Sequence, residues 1–118
     1  MMSSIPSYWV NVNDDGETFT YVNLLENKKY HYKRGKLHRL NEPAVECTDV
    51  ISDHIEEWWF EGYRHRINGP AIDGPNTKTY YCNGKYLGIG DEGFWNLWDL
   101  LSFDQQNDPI LLLYLPKI

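Results

Sequence analysis

The chain has 118 residues, is 42% hydrophobic and 15% aromatic, and carries 11 basic against 17 acidic side chains for a formal net charge of -6. This describes a single small domain over 1–118 that folds without a disulfide or metal, and its five Trp, nine Tyr and four Phe exclude a disordered chain. The acidic balance argues against nucleic-acid binding, because phosphate backbones are held by clustered Lys and Arg.

The first residues, MMSSIPSYWV, lack the basic and apolar regions of a signal peptide, and the longest apolar run, Ile110–Leu115, is too short to span a membrane. Cys47 and Cys82 stand far apart with no Cys-x-x-Cys or paired His and Cys. The expectation is a cytoplasmic protein with no membrane contact, no metal and no cofactor. Residues 1–27 hold an opening strand, Glu17–Leu24, after an Asp14-Asp15-Gly16 turn.

Residues 28–39 (KKYHYKRGKLHR) contain six Lys and Arg and no acid, so the rest of the chain holds five basic against 17 acidic groups. Tyr30 and Tyr32 share one face of a strand and Lys29, His31 and Lys33 the other, the alternation of a half-buried strand. Lys29, Lys33, Arg34 and Lys36 form either a solvated face or a docking patch for an acidic partner or a phosphate.

The segment Arg34–Glu46 matches Glu61–Asp73 through a shared frame, G-x-x-H-R-aliphatic-N-x-P-A-aliphatic-acid, at a spacing of 27 residues from Gly35 to Gly62. A shorter copy starts at Asn83-Gly84, 22 residues further on. Each copy reads as a β-hairpin whose x-Gly pair, Arg34-Gly35, Glu61-Gly62 or Asn83-Gly84, supplies the positive φ angles of a tight turn. The strands before these turns are Lys28–Lys33, Ile55–Phe60 and Lys78–Cys82, and Pro43 and Pro70 belong at turns or strand starts.

Gly35, Leu37, His38, Arg39, Pro43 and Ala44, then Gly62, His65, Arg66, Gly69, Pro70 and Ala71, resemble the MORN-like repeat variant with a G-x-L-H-R-x-x-G-P-A core. That variant occurs in bacterial antitoxin-type repeat proteins and in phage and large-virus proteins. The likeness covers roughly residues 28–88, departing at Glu42, where the variant prefers Gly, and at Arg64, where it prefers Leu. It implies a mainly β fold, a row of antiparallel hairpins ended by a short helix, and no single activity.

In 91–102, Phe94, Leu97, Trp98 and Leu101 fall on one helical face, with Trp95 and Leu100 off the stripe and Asp91 placed to cap the start. This helix is expected to cover the end of the hairpin row. Within 108–118, Asp108-Pro109 breaks the helix, and Ile110–Leu115 is either an apolar tail or, as the more favoured reading, a strand packed on the sheet.

The pairs His38-Arg39 and His65-Arg66 suit oxyanion binding or catalysis by residue type, yet their repetition favours a structural role, with Glu46 and Asp73 seven positions after each Arg as partners. Trp58-Trp59-Phe60 puts a large aromatic on each strand face; Trp58 and Phe60 are either buried or a binding hot spot. No P-loop, G-x-S-x-G or H-E-x-x-H is present. The leading expectation is a non-enzymatic module that binds and inhibits another protein. A sponge for a small anionic or phosphorylated ligand is second, and a hydrolase or nuclease a distant third.

Overall fold

The computed structural model describes residues 7–49 and 53–117. In chain order it contains β1 (Trp9–Asp14), β2 (Thr18–Asn23), β3 (Lys28–Lys33), β4 (Lys36–Leu37), β5 (Val45–Cys47), β6 (Glu56–Glu57), β7 (Trp59–Phe60), β8 (Tyr63–Arg64), β9 (Ile72–Gly74), β10 (Thr77–Cys82) and β11 (Lys85–Ile89), then α1 (Gly90–Trp98), α2 (Phe103–Gln106) and α3 (Pro109–Leu112). The protein is mainly β, with a few short helices at one end. Nine strands form one sheet in the order β1-β2-β3-β5-β6-β9-β10-β11, with β4 paired to β3, while β7 and β8 pair separately.

The turns coincide with the x-Gly pairs. Both central residues are left-handed at Arg34 (φ 50°) and Gly35 (78°), Glu61 (49°) and Gly62 (86°), and Asn83 (49°) and Gly84 (82°). That is the type I′ signature, whose twist matches the flanking strands. Arg34 and Glu61 adopt a conformation that costs a residue with a Cβ. Pro43 and Pro70 stand just before β5 and β9, where a missing N–H breaks no ladder bond.

The opening strand is observed as β2, after a turn in which Asp14 Oδ1 accepts from Gly16 N–H at 2.8 Å and Asp15 Oδ1 accepts from Thr18 N–H at 2.7 Å. Hydrogen bonds from Thr18 hold the Asp15 carboxyl down at about 2. Before this turn lies β1, which the sequence pattern does not announce. It is the edge strand, paired to β2 through a bulge between Asn11 and Asn13, and five of its six residues are exposed.

The expected strand Ile55–Phe60 is divided. Glu56 and Glu57 form β6 in the large sheet, whereas Trp59 and Phe60 form β7 with β8. Trp58 is the crossing point: it donates its N–H to Ala71 O at 2.7 Å and accepts at its carbonyl from His65 N–H at 3.1 Å.

Of the stripe expected over 91–102, Phe94 and Leu97 are buried at 1% and 0% exposure and Trp98 and Leu101 are half-buried, while Trp95, off the stripe, is 44% exposed. α1 ends at Trp98, so the helix is shorter than expected and Leu101 lies beyond it. Asp91 is not its cap. Ile89 occupies that position without a side-chain bond, because Gly88 and Gly90 take positive φ and swing β11 directly into the helix; Asp91 lies in the first turn. The helix approaches β11 so closely that a Cβ on Gly93 would stand 2.3 Å from Gly88 O. Only hydrogen fits there.

Ile110–Leu115 is not a strand. Asp108 Oδ1 accepts from Ile110 N–H at 2.8 Å and Pro109 takes the first helical position, so the pair starts α3. Leu111 then joins Tyr80, Leu87, Phe94 and Leu97 in a buried cluster, against which Cys82, Trp98, Leu101 and Tyr114 pack. The principal extents are 51 × 30 × 24 Å. Among the described residues no helix is long and apolar enough to cross a membrane.

Candidate functional site

Each repeated Arg is engaged by its own copy. Arg66, 8% exposed, donates from Nε to Asn68 Oδ1 at 3.0 Å and from NH1 to Pro70 O at 3.1 Å, and pairs with Asp73 Oδ2 at 3.6 Å. Its guanidinium carbon sits 3.7 Å from the centre of the Trp58 ring. The Tyr114 hydroxyl accepts from Arg66 NH1 at 3.4 Å and donates to Asp73 Oδ2 at 2.7 Å, tying the C-terminal segment to the pair. Burial, and after it the bond to Asp73, raises the Tyr114 pKa.

Arg39 repeats the pattern with one change. It pairs with Glu46 and donates to Pro43 O at 3.3 Å, and it meets Glu42 at 3.1 Å. Glu42 stands where the second copy has Gly69. A Cβ on Gly69 would come within 2.8 Å of both the Arg66 guanidinium and the Tyr114 ring, so that glycine lets Arg66 sink while Arg39 stays 28% exposed at its side chain. The two Arg-acid pairs expected from the seven-residue spacing are both formed.

The two repeated histidines join neighbouring copies. His38 Nδ1 accepts the backbone N–H of Glu61 at 3.0 Å, and His65 Nδ1 accepts that of Asn83 at 2.9 Å. Each acceptor ring is neutral with its proton on Nε2. Burial lowers both pKa values, helped at His38 by the charge of Lys33. Phe60 lies between the rings, its centroid 4.6 Å from that of His38 and 6.2 Å from that of His65. These cross-copy bonds carry no sequence signal, since the acceptor meets a backbone group rather than a distinctive side chain.

The basic segment is partly neutralised. Lys28 is buried and paired with Asp53 at 3.0 Å, Arg34 with Glu17 at 2.7 Å, and Arg39 with Glu42 and Glu46. Lys29 stands opposite Glu46 in the β3–β5 register. Among the described residues Lys29, Lys33 and Lys36 form no ion pair. Lys33, Arg34, Lys36, His38 and Glu61 line a cleft of about 220 Å³. His31, on the same strand face as Lys29, is 2.7 Å from Glu46 through Nε2; burial lowers its pKa against the opposing pull of that carboxylate.

The aromatic triplet is half-buried in local packing: Trp58 lies under Arg66, Phe60 lies between two histidines, and Arg64 sits 4.9 Å over Trp59. Exposed apolar side chains recur on the helical end. Phe103 and Leu113 are 78% and 81% exposed, and Leu100 is 57% exposed. The off-stripe position of Leu100 signalled part of this surface, and reading Ile110–Leu115 as a sheet-packed strand hid Leu113. Among the described residues no three His, Cys, Asp or Glu gather as a metal site. Burial raises the Cys82 thiol pKa, the direction opposite to that of an activated nucleophile.

Comparison of the chain with family models, with curated proteins and with solved structures finds no match.

Proposed function

We propose that the chain is a non-enzymatic protein-binding module, a row of MORN-like hairpin repeats with a helical end, acting as an antitoxin- or phage-type inhibitor that occupies another protein's surface. Recurring backbone bonds support the repeat reading. His31 N–H to Ala44 O and Trp58 N–H to Ala71 O are related by the 27-residue spacing, and Gly62 N–H to Leu37 O has its counterpart in Gly84 N–H to Arg64 O. The binding reading is carried by the exposed apolar side chains gathered on the helical end, Leu100, Phe103 and Leu113 among them, since exposed apolar surface concentrated on one part of a small chain marks an interaction site.

A second reading, an anionic-ligand site, has the cleft at Lys33 and Lys36 in its favour. Arg39 and Arg66 do not serve it, being committed to Glu46 and Asp73. Capture of proteins on immobilised chain, run beside mass spectrometry of small molecules extracted from the purified chain, separates the two. Specific protein capture lost in Phe103→Asp/Leu113→Asp supports the module. Capture indifferent to that change, with a co-purifying phosphorylated compound lost in Lys33→Glu/Lys36→Glu, overturns it in favour of the cleft.

A further inference from the structure

We infer that the helical end is a docking face for a cationic amphipathic helix of a partner protein; the inference rests on the protein-binding reading and adds the partner's chemistry. Leu100, Phe103 and Leu113 present apolar side chains on the turn after α1, on α2 and on the turn after α3. These segments are tied together: Gln106 Nε2 of α2 donates to Trp98 O at the end of α1 at 2.9 Å, and Leu111 of α3 shares the buried cluster with Leu97 of α1. An apolar surface held this way needs little ordering on binding, which favours affinity.

Charge selects the occupant. Residues 90–117 carry five carboxylates, from Asp91 to Asp108, against one cation, Lys117. Among the described residues none of the five is in an ion pair. Exposed Leu and Phe on segments that also carry these carboxylates match a helix with Leu or Phe at i, i+3, i+4 and i+7 and Lys or Arg on its flanks. It repels an anionic membrane surface, and a second copy of this face would bring like charges together.

The probe is a synthetic helical peptide of about 18 residues, long enough for five turns, with a Leu face flanked by Lys. A Glu-for-Lys counterpart is the control. Calorimetry and backbone amide shifts measure binding and locate it. The Lys peptide is expected to bind saturably at residues 95–115, about tenfold or more weaker to Phe103→Asp/Leu113→Asp, and more weakly as salt rises from roughly 0.05 to 0.5 M; the Glu peptide is expected not to bind. Both altered residues are exposed, and an unchanged melting temperature confirms that the variant is folded.

Equal binding of the two peptides, binding mapped away from the helical end, self-association through it in sedimentation, or attachment to phosphatidylcholine vesicles in place of the peptide would each overturn the inference. If the Lys peptide fails to bind while Phe103→Asp/Leu113→Asp still abolishes protein capture, the module reading stands and the cationic-helix inference fails.

Discussion

Asn83 donates its backbone N–H to Nδ1 of His65, 18 residues earlier, at 2.9 Å, and the ring accepts it only while that nitrogen is unprotonated. The Glu61–His38 bond makes the same demand one copy earlier.

These bonds make stability depend on pH. Both histidines have folded pKa values lowered from 6.5, so below that pH the unfolded chain binds more protons than the folded one and acid destabilises the fold. The stabilising contribution is complete above 6.5 and is lost as pH falls through the folded values. Urea midpoints are expected to fall between about pH 7 and pH 5. His38→Ala/His65→Ala, less stable at neutral pH, is expected to show a flatter profile. A slope equal to the parent's would remove the two rings as its source.

Arg66→Ala is expected to lower stability by about 1–3 kcal/mol, since a buried charged donor is lost and its acceptors are stranded. Arg39→Ala is expected to cost less, because that side chain is 28% exposed against 8% for Arg66. Arg66→Lys will not restore the parent value, for an ammonium cannot reach Asn68, Pro70 and Asp73 together while lying flat on Trp58. Denaturant unfolding checks the order; equal losses at the two sites would contradict it.

The buried and exposed apolar residues of the helical end separate cleanly by mutation. Leu97→Ala, at 0% exposure, is expected to cost about 2–5 kcal/mol through the cavity it leaves. Phe103→Ala, at 78% exposure, is expected to stay within about 0.5 kcal/mol of the parent. Thermal unfolding of both variants tests the assignment, and a large loss at Phe103 would show that this ring is packed in solution.

Gly93→Ala is expected to be more disruptive than Gly35→Ala. At Gly35 a Cβ meets nothing within 4 Å and only the positive φ penalises it, by about 1–2 kcal/mol. At Gly93 it would collide with the backbone of Gly88, so α1 must lift from β11. Near-ultraviolet circular dichroism, dominated by Trp95 and Trp98 in this region, reads the displacement. An unchanged spectrum with parental stability would refute the close approach.

Sequence patterns with a local cause were readable. The x-Gly pairs placed the turns, the seven-residue interval from Arg39 to Glu46 and from Arg66 to Asp73 anticipated the ion pairs, and Phe94, Leu97 and Trp98 at i, i+3 and i+4 located α1, though Leu101 at i+7 lies past its end. The failures have local causes too. Asp108-Pro109 serves equally as a stop or a start, and in this chain the Asp108 side chain caps α3. Trp58 lies inside a run of strand formers, and nothing within that run says that Ala71 and His65 claim its backbone and divide the strand. Cross-copy contacts such as Glu61 with His38, and the exposure of Leu113, depend on which segments meet, which no single window of residues encodes.

The buried cluster is drawn entirely from Tyr80 onward, although the sheet begins at Trp9. A ribosome therefore releases β1 through β9 before any residue of that cluster has emerged. The early hairpins remain at their least stable while the chain is being made, and secure docking waits for α1 and α3. A chain halted when only residues up to 79 have emerged would stay protease-sensitive for longer than one halted when residues up to 115 have emerged.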